Sequence, residues 1–247
     1  MVMEIPKGTR AKLEMQPEEK FNPIGHDTNK SGEIRYMGYS PVLYNYGFIP
    51  QTWEDPSHIH PDTKLGGDND PLDIIDIGYR RREVGEVYRV KIVGSFALID
   101  EGETDWKILG ISLDDPAAKL INSVEDIETH KPGITHTLRD WYKKYKTADG
   151  KGENTFAFQA KIQDQVRSLD PFSPYPSATN PRTAFANSSY GVGGLAEKNQ
   201  KNKTNVSLCV TSRFSLKAYT MKLIDDTHEQ WKRISSVPEL KKKFHQN

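Results

Sequence analysis

The chain has 247 residues, and its 34 Lys plus Arg balance 34 Asp plus Glu, with a sequence pI near 7.1. It therefore lacks the basic excess of a general polyanion binder. With 35% hydrophobic residues and a mean hydropathy of −0.71, no stretch approaches the ~20 apolar residues of a membrane helix.

The start, MVMEIPKGTRAKLEM, has no apolar signal core, and Cys209 stands alone. A soluble, cytoplasmic protein without disulfides is expected, so the sequons at Asn29, Asn187, Asn202 and Asn205 read as chance. In chain order, Arg10, Lys12 and Glu14 alternate with Ala11 and Leu13, which predicts one face of a strand. The turn Gly66–Asp70 feeds a short strand over 71–78. Strands are expected over 88–100 and 106–114, joined by the Gly-containing loop Glu101–Thr104. Asp115 before Pro116 reads as a helix cap with proline at the first helical position. Ile134, Leu138, Trp141 and Tyr145 line one face of a helix, and Leu216, Leu223, Ile224, Trp231 and Ile234 line another. Residues 164–206 hold Pro171, Pro174, Pro176 and Pro181 and no period, which predicts a long loop or disordered insertion. Strands first and helices later give an α+β fold, with strand spacing compatible with a small barrel.

Chemistry concentrates in Gly66-Gly67-Asp68-Asn69-Asp70-Pro71-Leu72-Asp73. Asp68 and Asp70 can share a face, whereas Asp73 has opposite parity, so only a bent backbone gathers all three. Crowded carboxylates call for hard divalent cations, although a solvated acidic turn or a calcium loop has the same composition. Asp100 and Asp105 flank the hairpin loop, and Asp105 and Lys107 share a face of the returning strand. That pairing suits a metal–phosphate complex, and an exposed hairpin with ordinary charge pairing is the bland reading. Lys12, Arg35, Tyr145 and Lys146 are candidate phosphate ligands. His58 and His60 form a weak metal pattern in a loop, and Trp53, Trp106, Trp141 and Trp231 read as packing residues.

Taken together, EIPKGTRAKLE (4–14), YNYGFIPQTWED (44–55), GDNDPLD (67–73), IDEGETDWK (99–107), YKTADGKGENTFAF (145–158) and SLKAYTMKLIDDTHEQWKRI (215–234) resemble the soluble family I inorganic pyrophosphatases of eukaryotic type. The resemblance covers residues 4–162 and 215–234. It implies a five-stranded, OB-like β-barrel flanked by helices, one domain over 1–247 with an insertion at about 164–213, and Mg²⁺-dependent hydrolysis of pyrophosphate. It implies that Asp68, Asp73 and Asp105 hold the tightest magnesium and that Asp73 also meets a second. Asp70 would orient and deprotonate the attacking water between those ions, while Asp100, Asp105 and Glu14 meet ions arriving with substrate. Lys12, Arg35, Tyr46, Lys107, Tyr145 and Lys146 would contact phosphate, with Arg35, Tyr46 and Lys107 acting beside Asp70 in catalysis. A homodimer is compatible with the resemblance, and neither nucleic acid nor membrane is an implied partner.

In three places the chain departs from that pattern. Val42 stands where the family carries a tyrosine four residues before the tyrosine of N-Y-G, often assigned as a proton donor. Residues 163–214 have no identifiable counterpart, and only three residues precede Glu4 where eukaryotic members carry a longer extension, which implies a trimmed start. A catalytically weak scaffold on the same fold, docking through the insertion, is the alternative. A nucleic-acid-binding barrel is disfavoured, because an acidic cluster repels phosphate backbones.

Overall fold

A computed structural model describes residues 1–29, 31–162, 223–224 and 226–232. Its centre is the hairpin of β6 (Val90–Asp100) and β7 (Glu103–Ser112), paired from Asp100↔Glu103 to Val90↔Ser112. The turn is tighter than the four-residue loop expected. Glu101 and Gly102 alone form it, with φ of 51° and 93°. Positive φ at both central positions twists the chain the way the strands twist, so pairing extends to Glu103.

The six-stranded sheet runs β1 (Val2–Ile5), β4 (Asn45–Phe48), β5 (Asp73–Asp76), β7, β6, β8 (Thr155–Phe156). The β5–β7 pair is parallel and the other named pairs are antiparallel. β2 (Leu13–Met15) and β3 (Ile24–His26) form a separate ribbon. The chain is thus α+β as expected. A closed five-stranded barrel, however, is not found among the described residues. Pro6 and the turn at Lys7-Gly8 divide β1 from β2, and the 34–36 segment meets Ala11 before β2 and Thr28 after β3 only through single bridges.

The side-chain period of two sorts the core. Ile75, Leu109 and Ile111 face one way and pack with Ile127 of α1 (Val124–His130) and with Leu138, Trp141 and Tyr142 of α2 (Ile134–Lys144). Ile74, Trp106 and Ile108 face the other way and pack with Leu223. The helix expected from Ile134, Leu138, Trp141 and Tyr145 is α2, with Tyr145 as its C-terminal cap. Asp115 Oδ1 accepts from Ala117 N–H at 2.7 Å as a cap should, but the helix it opens is one short 3₁₀ turn, Pro116–Lys119. Leu223, Ile224 and Trp231 are helical, whereas Leu216, Ile234 and the insertion at 164–213 lie outside the described residues.

Candidate active site

Parity places the site. Asp73 and Ile75 share a face of β5, and Asp105, Lys107 and Leu109 share a face of β7, so the charged residues continue the α2-covered core face at its open end. Asp73 lies opposite Lys107 in register. Lys107 is 4% exposed, and its Nζ donates to Asp73, to Asp105 Oδ1 at 2.5 Å and to the Tyr46 hydroxyl at 3.1 Å. Burial alone would lower the lysine's pKa, but Asp105 and Asp73 outweigh it and hold the ammonium well above the ordinary value.

The Asp68–Asp70 turn bends as its sequence requires. Asn69 has φ 74°, and Asp70 N–H donates to Asp68 Oδ1 at 3.0 Å. The preceding glycines let this turn lie against the 54–56 backbone. A Cβ at Gly67 would sit 2.4 Å from the Glu54 carbonyl, and one at Gly66 would sit 2.2 Å from that of Pro56. Glu54 and the turn are joined by Asn69 N–H to Glu54 O and Glu54 N–H to Asp70 O, both at 2.9 Å.

Glu54 and Asp27 are two carboxylates that the sequence motifs did not single out. Glu54 stands inside the motif YNYGFIPQTWED, which carries the resemblance but gives this residue no role. It is 3% exposed, its Oε1 accepts from Trp106 N–H at 3.1 Å, and its Oε2 has no hydrogen-bond partner among the described residues. One oxygen each from Glu54, Asp68 and Asp105 lies within 4.8 Å of the others. A buried acceptor without a donor, set among converging carboxylates, fits a hard divalent cation. Burial, with added repulsion from Asp68 and Asp105, raises Glu54 well above the carboxylate range. Burial raises Asp68 too, again with repulsion from Asp105 and Asp73. Asp105 is pushed to about 7 by burial, with Lys107 opposing and Asp73 adding to the shift. Asp70 is exposed to solvent, yet the surrounding protein and then Asp73 and Glu14 bring it to about 6. Asp73 is outside the trio, and its Oδ2 is held by Lys107.

The remaining expected residues lie around this centre. Lys12 Nζ meets Glu14 Oε2 at 2.7 Å and Asp27 Oδ2 at 2.6 Å, and Arg35 meets the same Asp27 oxygen at 2.5 Å. Lys12 and Glu14 share a strand face as expected, whereas Arg10 turns away to the Met37 carbonyl at 2.8 Å. Lys146 binds both oxygens of Asp100 beside a groove of about 490 Å³. Tyr145 stacks on Trp141 with centroids 5.0 Å apart, and burial raises its hydroxyl above the ordinary range, as it does that of Tyr46. Electrostatics connect the parts: Glu14 and Lys12 act on Asp70, and Asp100 acts on Asp105 and Tyr145.

The family model described as inorganic pyrophosphatase matches residues 1–170. The chain is 49% identical over 169 residues to the inorganic pyrophosphatase of Debaryomyces hansenii, covering 67% of this chain and 58% of that protein. Against the Kluyveromyces lactis inorganic pyrophosphatase it is 41% identical over 222 residues, 88% of this chain and 74% of the relative. Among solved structures, the Schistosoma japonicum inorganic pyrophosphatase superposes with a TM-score of 0.71 at 34% identity, covering 95% of this chain and 65% of that one. The truncated Trypanosoma cruzi vacuolar soluble pyrophosphatase, solved with PPi, gives a TM-score of 0.72 at 29% identity over 96% of this chain and 69% of that one. The chain thus spans about 58% of the length of the Debaryomyces relative. With the matched segment embracing every carboxylate and cation of the cluster, this chain belongs to the inorganic pyrophosphatase family.

Proposed function

We propose that this chain hydrolyses inorganic pyrophosphate to two phosphates and that Mg²⁺ is its resident ion. The observation that carries the reading is the interleaving of opposite charge: the converging oxygens of Glu54, Asp68 and Asp105 adjoin Lys107, which reaches both Asp73 and Asp105. A carboxylate trio binds cations and a buried lysine binds phosphoryl oxygens, so together they suit a metal–phosphate complex. Glu54, Asp68, Asp73 and Asp105 would hold the ions, with Glu14 and Asp100 meeting others. Bound divalent cations supply charge neutralisation and acidify the attacking water. Magnesium suits few protein ligands and retained waters better than calcium does.

The chain's own residues do the rest. Asp70, at about 6, is ionised at neutral pH yet basic enough to accept the water's proton while holding its oxygen in line. Lys107, Arg35, Lys12 and Lys146 stabilise charge on the two phosphoryl groups, Lys107 with donors that now serve Asp73, Asp105 and Tyr46. Tyr46 and Tyr145, raised by burial, remain protonated donors to phosphate oxygens. The test is phosphate release from pyrophosphate with Mg²⁺, with Mg²⁺ plus Ca²⁺, and with excess chelator. Turnover with Mg²⁺ alone, suppressed by the other two, is expected. No turnover at any Mg²⁺ concentration would leave the scaffold alternative in its place.

A further inference from the structure

Asp27 touches no residue of the carboxylate trio, yet it bonds two of the cations expected to bind phosphate. The backbone around it is closed into a ring. Lys12 N–H donates to Arg35 O at 3.1 Å, Arg35 N–H to Asp27 O at 2.9 Å, and Asp27 N–H to Lys12 O at 3.0 Å. Three neighbouring segments are thereby locked at these residues. On that platform, one carboxylate oxygen of Asp27 accepts from Lys12 Nζ at 2.6 Å and from Arg35 Nη1 at 2.5 Å. The Asp27 side chain is 11% exposed, whereas those of Lys12 and Arg35 keep 29% and 37% of their surface open.

Resting on the pyrophosphatase reading, we propose that Asp27 is a positioning residue that holds the Lys12 ammonium and Arg35 guanidinium in one phosphate-ready arrangement. Lysine has three donors and arginine five, so with Glu14 engaging a second Lys12 donor, the third Lys12 donor and the other Arg35 donors are left for an anion. Two opposing effects follow from the charge. Removing the carboxylate would make this rim more positive and attract anions, but both cations face solvent, where such a gain is screened. It would also free two long side chains that must then be ordered whenever phosphate binds, and this loss is the larger because both pay it together. Asp27→Asn leaves no buried unpaired charge, because Lys12 retains Glu14 and both cations reach water.

The experiment is calorimetric titration of inorganic phosphate into the full chain in saturating Mg²⁺, beside pyrophosphate kinetics. Asp27→Asn is expected to weaken phosphate about tenfold and to raise KM more than it lowers kcat. Asp27→Glu should recover part of the affinity. In the Lys12→Gln/Arg35→Gln background, Asp27→Asn should cost less than about twofold, since the groups it positions are gone. The inference is overturned if wild type binds no phosphate or if Asp27→Asn binds it as tightly as wild type. An equal tenfold loss in the double-variant background would likewise overturn it, marking a merely structural role. Should Asp27→Asn fail to fold, Asp27→Glu decides alone: it must fold and weaken phosphate measurably only when Lys12 and Arg35 are present. Phosphate affinities in the expected order without any wild-type turnover would sink the hydrolase reading and leave this one standing.

Discussion

Asp73 and Lys107 face each other across the parallel β5–β7 pair, and their side chains meet in an ion pair. The lysine thus occupies carboxylates that a cation also needs. Replacing it with Met removes a phosphate donor and a competitor for metal in one step. Lys107→Met is expected to bind Mn²⁺ about tenfold more tightly while turnover falls about 10²–10³-fold. Electron paramagnetic resonance of free Mn²⁺ and steady-state kinetics check the two halves. Weaker metal binding in the variant would contradict this reading of the pair.

Asp70→Asn keeps the shape of the turn, because the bond to Asp68 Oδ1 comes from the backbone N–H of residue 70. It removes the proton acceptor. Turnover should drop roughly 10²–10⁴-fold with the unfolding midpoint nearly unchanged. Near wild-type rates at neutral pH would exclude Asp70 as the base.

Glu54→Gln retains an oxygen for Trp106 N–H but loses the charge beside Asp68 and Asp105. Cation affinity, read by titration calorimetry with Mg²⁺, should fall about tenfold. Gly67→Ala attacks the same place sterically. Its methyl group meets the Glu54 backbone at 2.4 Å, so about 1–3 kcal/mol of stability should be lost together with metal affinity. Unchanged Mg²⁺ affinity in both variants would remove Glu54 from the ion site.

A carboxyl whose folded-state pKa is raised binds its proton more tightly when folded. The stability it lends is complete below its unfolded value and is lost as pH climbs through the folded one. Asp70 at about 6 and Asp105 at about 7 start from 3.8, so the window runs from about 4 to about 7. Asp114, Glu86 and Glu128 are held below their ordinary values and act in the opposite sense, losing stability only as pH falls below that window. In chelator, Tm should therefore decline from pH 5 to pH 8, and excess Mg²⁺ should flatten the decline. Scanning calorimetry at both conditions measures it, and a Tm that rises over this interval in chelator would refute it.

Val42 is 6% exposed and faces a cavity of about 10 Å³ lined by Tyr44, Tyr46, Leu138, Trp141 and Tyr142. A tyrosine restored there does not fit without displacing those rings. Val42→Tyr should cost about 1–3 kcal/mol by overpacking and should not raise turnover. Urea unfolding and kinetics test both parts, and a large gain in rate would show that the missing hydroxyl limits catalysis.

The sequence revealed those parts of the fold and site that are written locally. The spacing of Ile134, Leu138 and Trp141 names α2, and the bend over Asp68–Asp73 marks the acidic turn that supplies Asp68 to the trio. Glu54 and Asp27 were not legible, because their meaning lies in contacts between segments. Glu54 is brought to Asp105 by the close approach of two glycines, and Asp27 to Lys12 and Arg35 by strand register. The barrel expectation failed for a related reason. Strand count and length do not reveal where single bridges replace continuous pairing.

The loop that carries Glu54 is fastened from the far end of the chain. Trp53 N–H donates to the Thr227 carbonyl at 3.1 Å, and Asp55 N–H to Gln230 Oε1, 175 residues further along, at 2.8 Å. During synthesis at ~5–20 residues per second, the second anchor follows Asp55 by roughly 9–35 s. A nascent chain can therefore complete its six strands while the carboxylate beside the DND turn is still unpinned. On the proposed reading, the ion site is completed after the sheet in the order of synthesis, and not together with it.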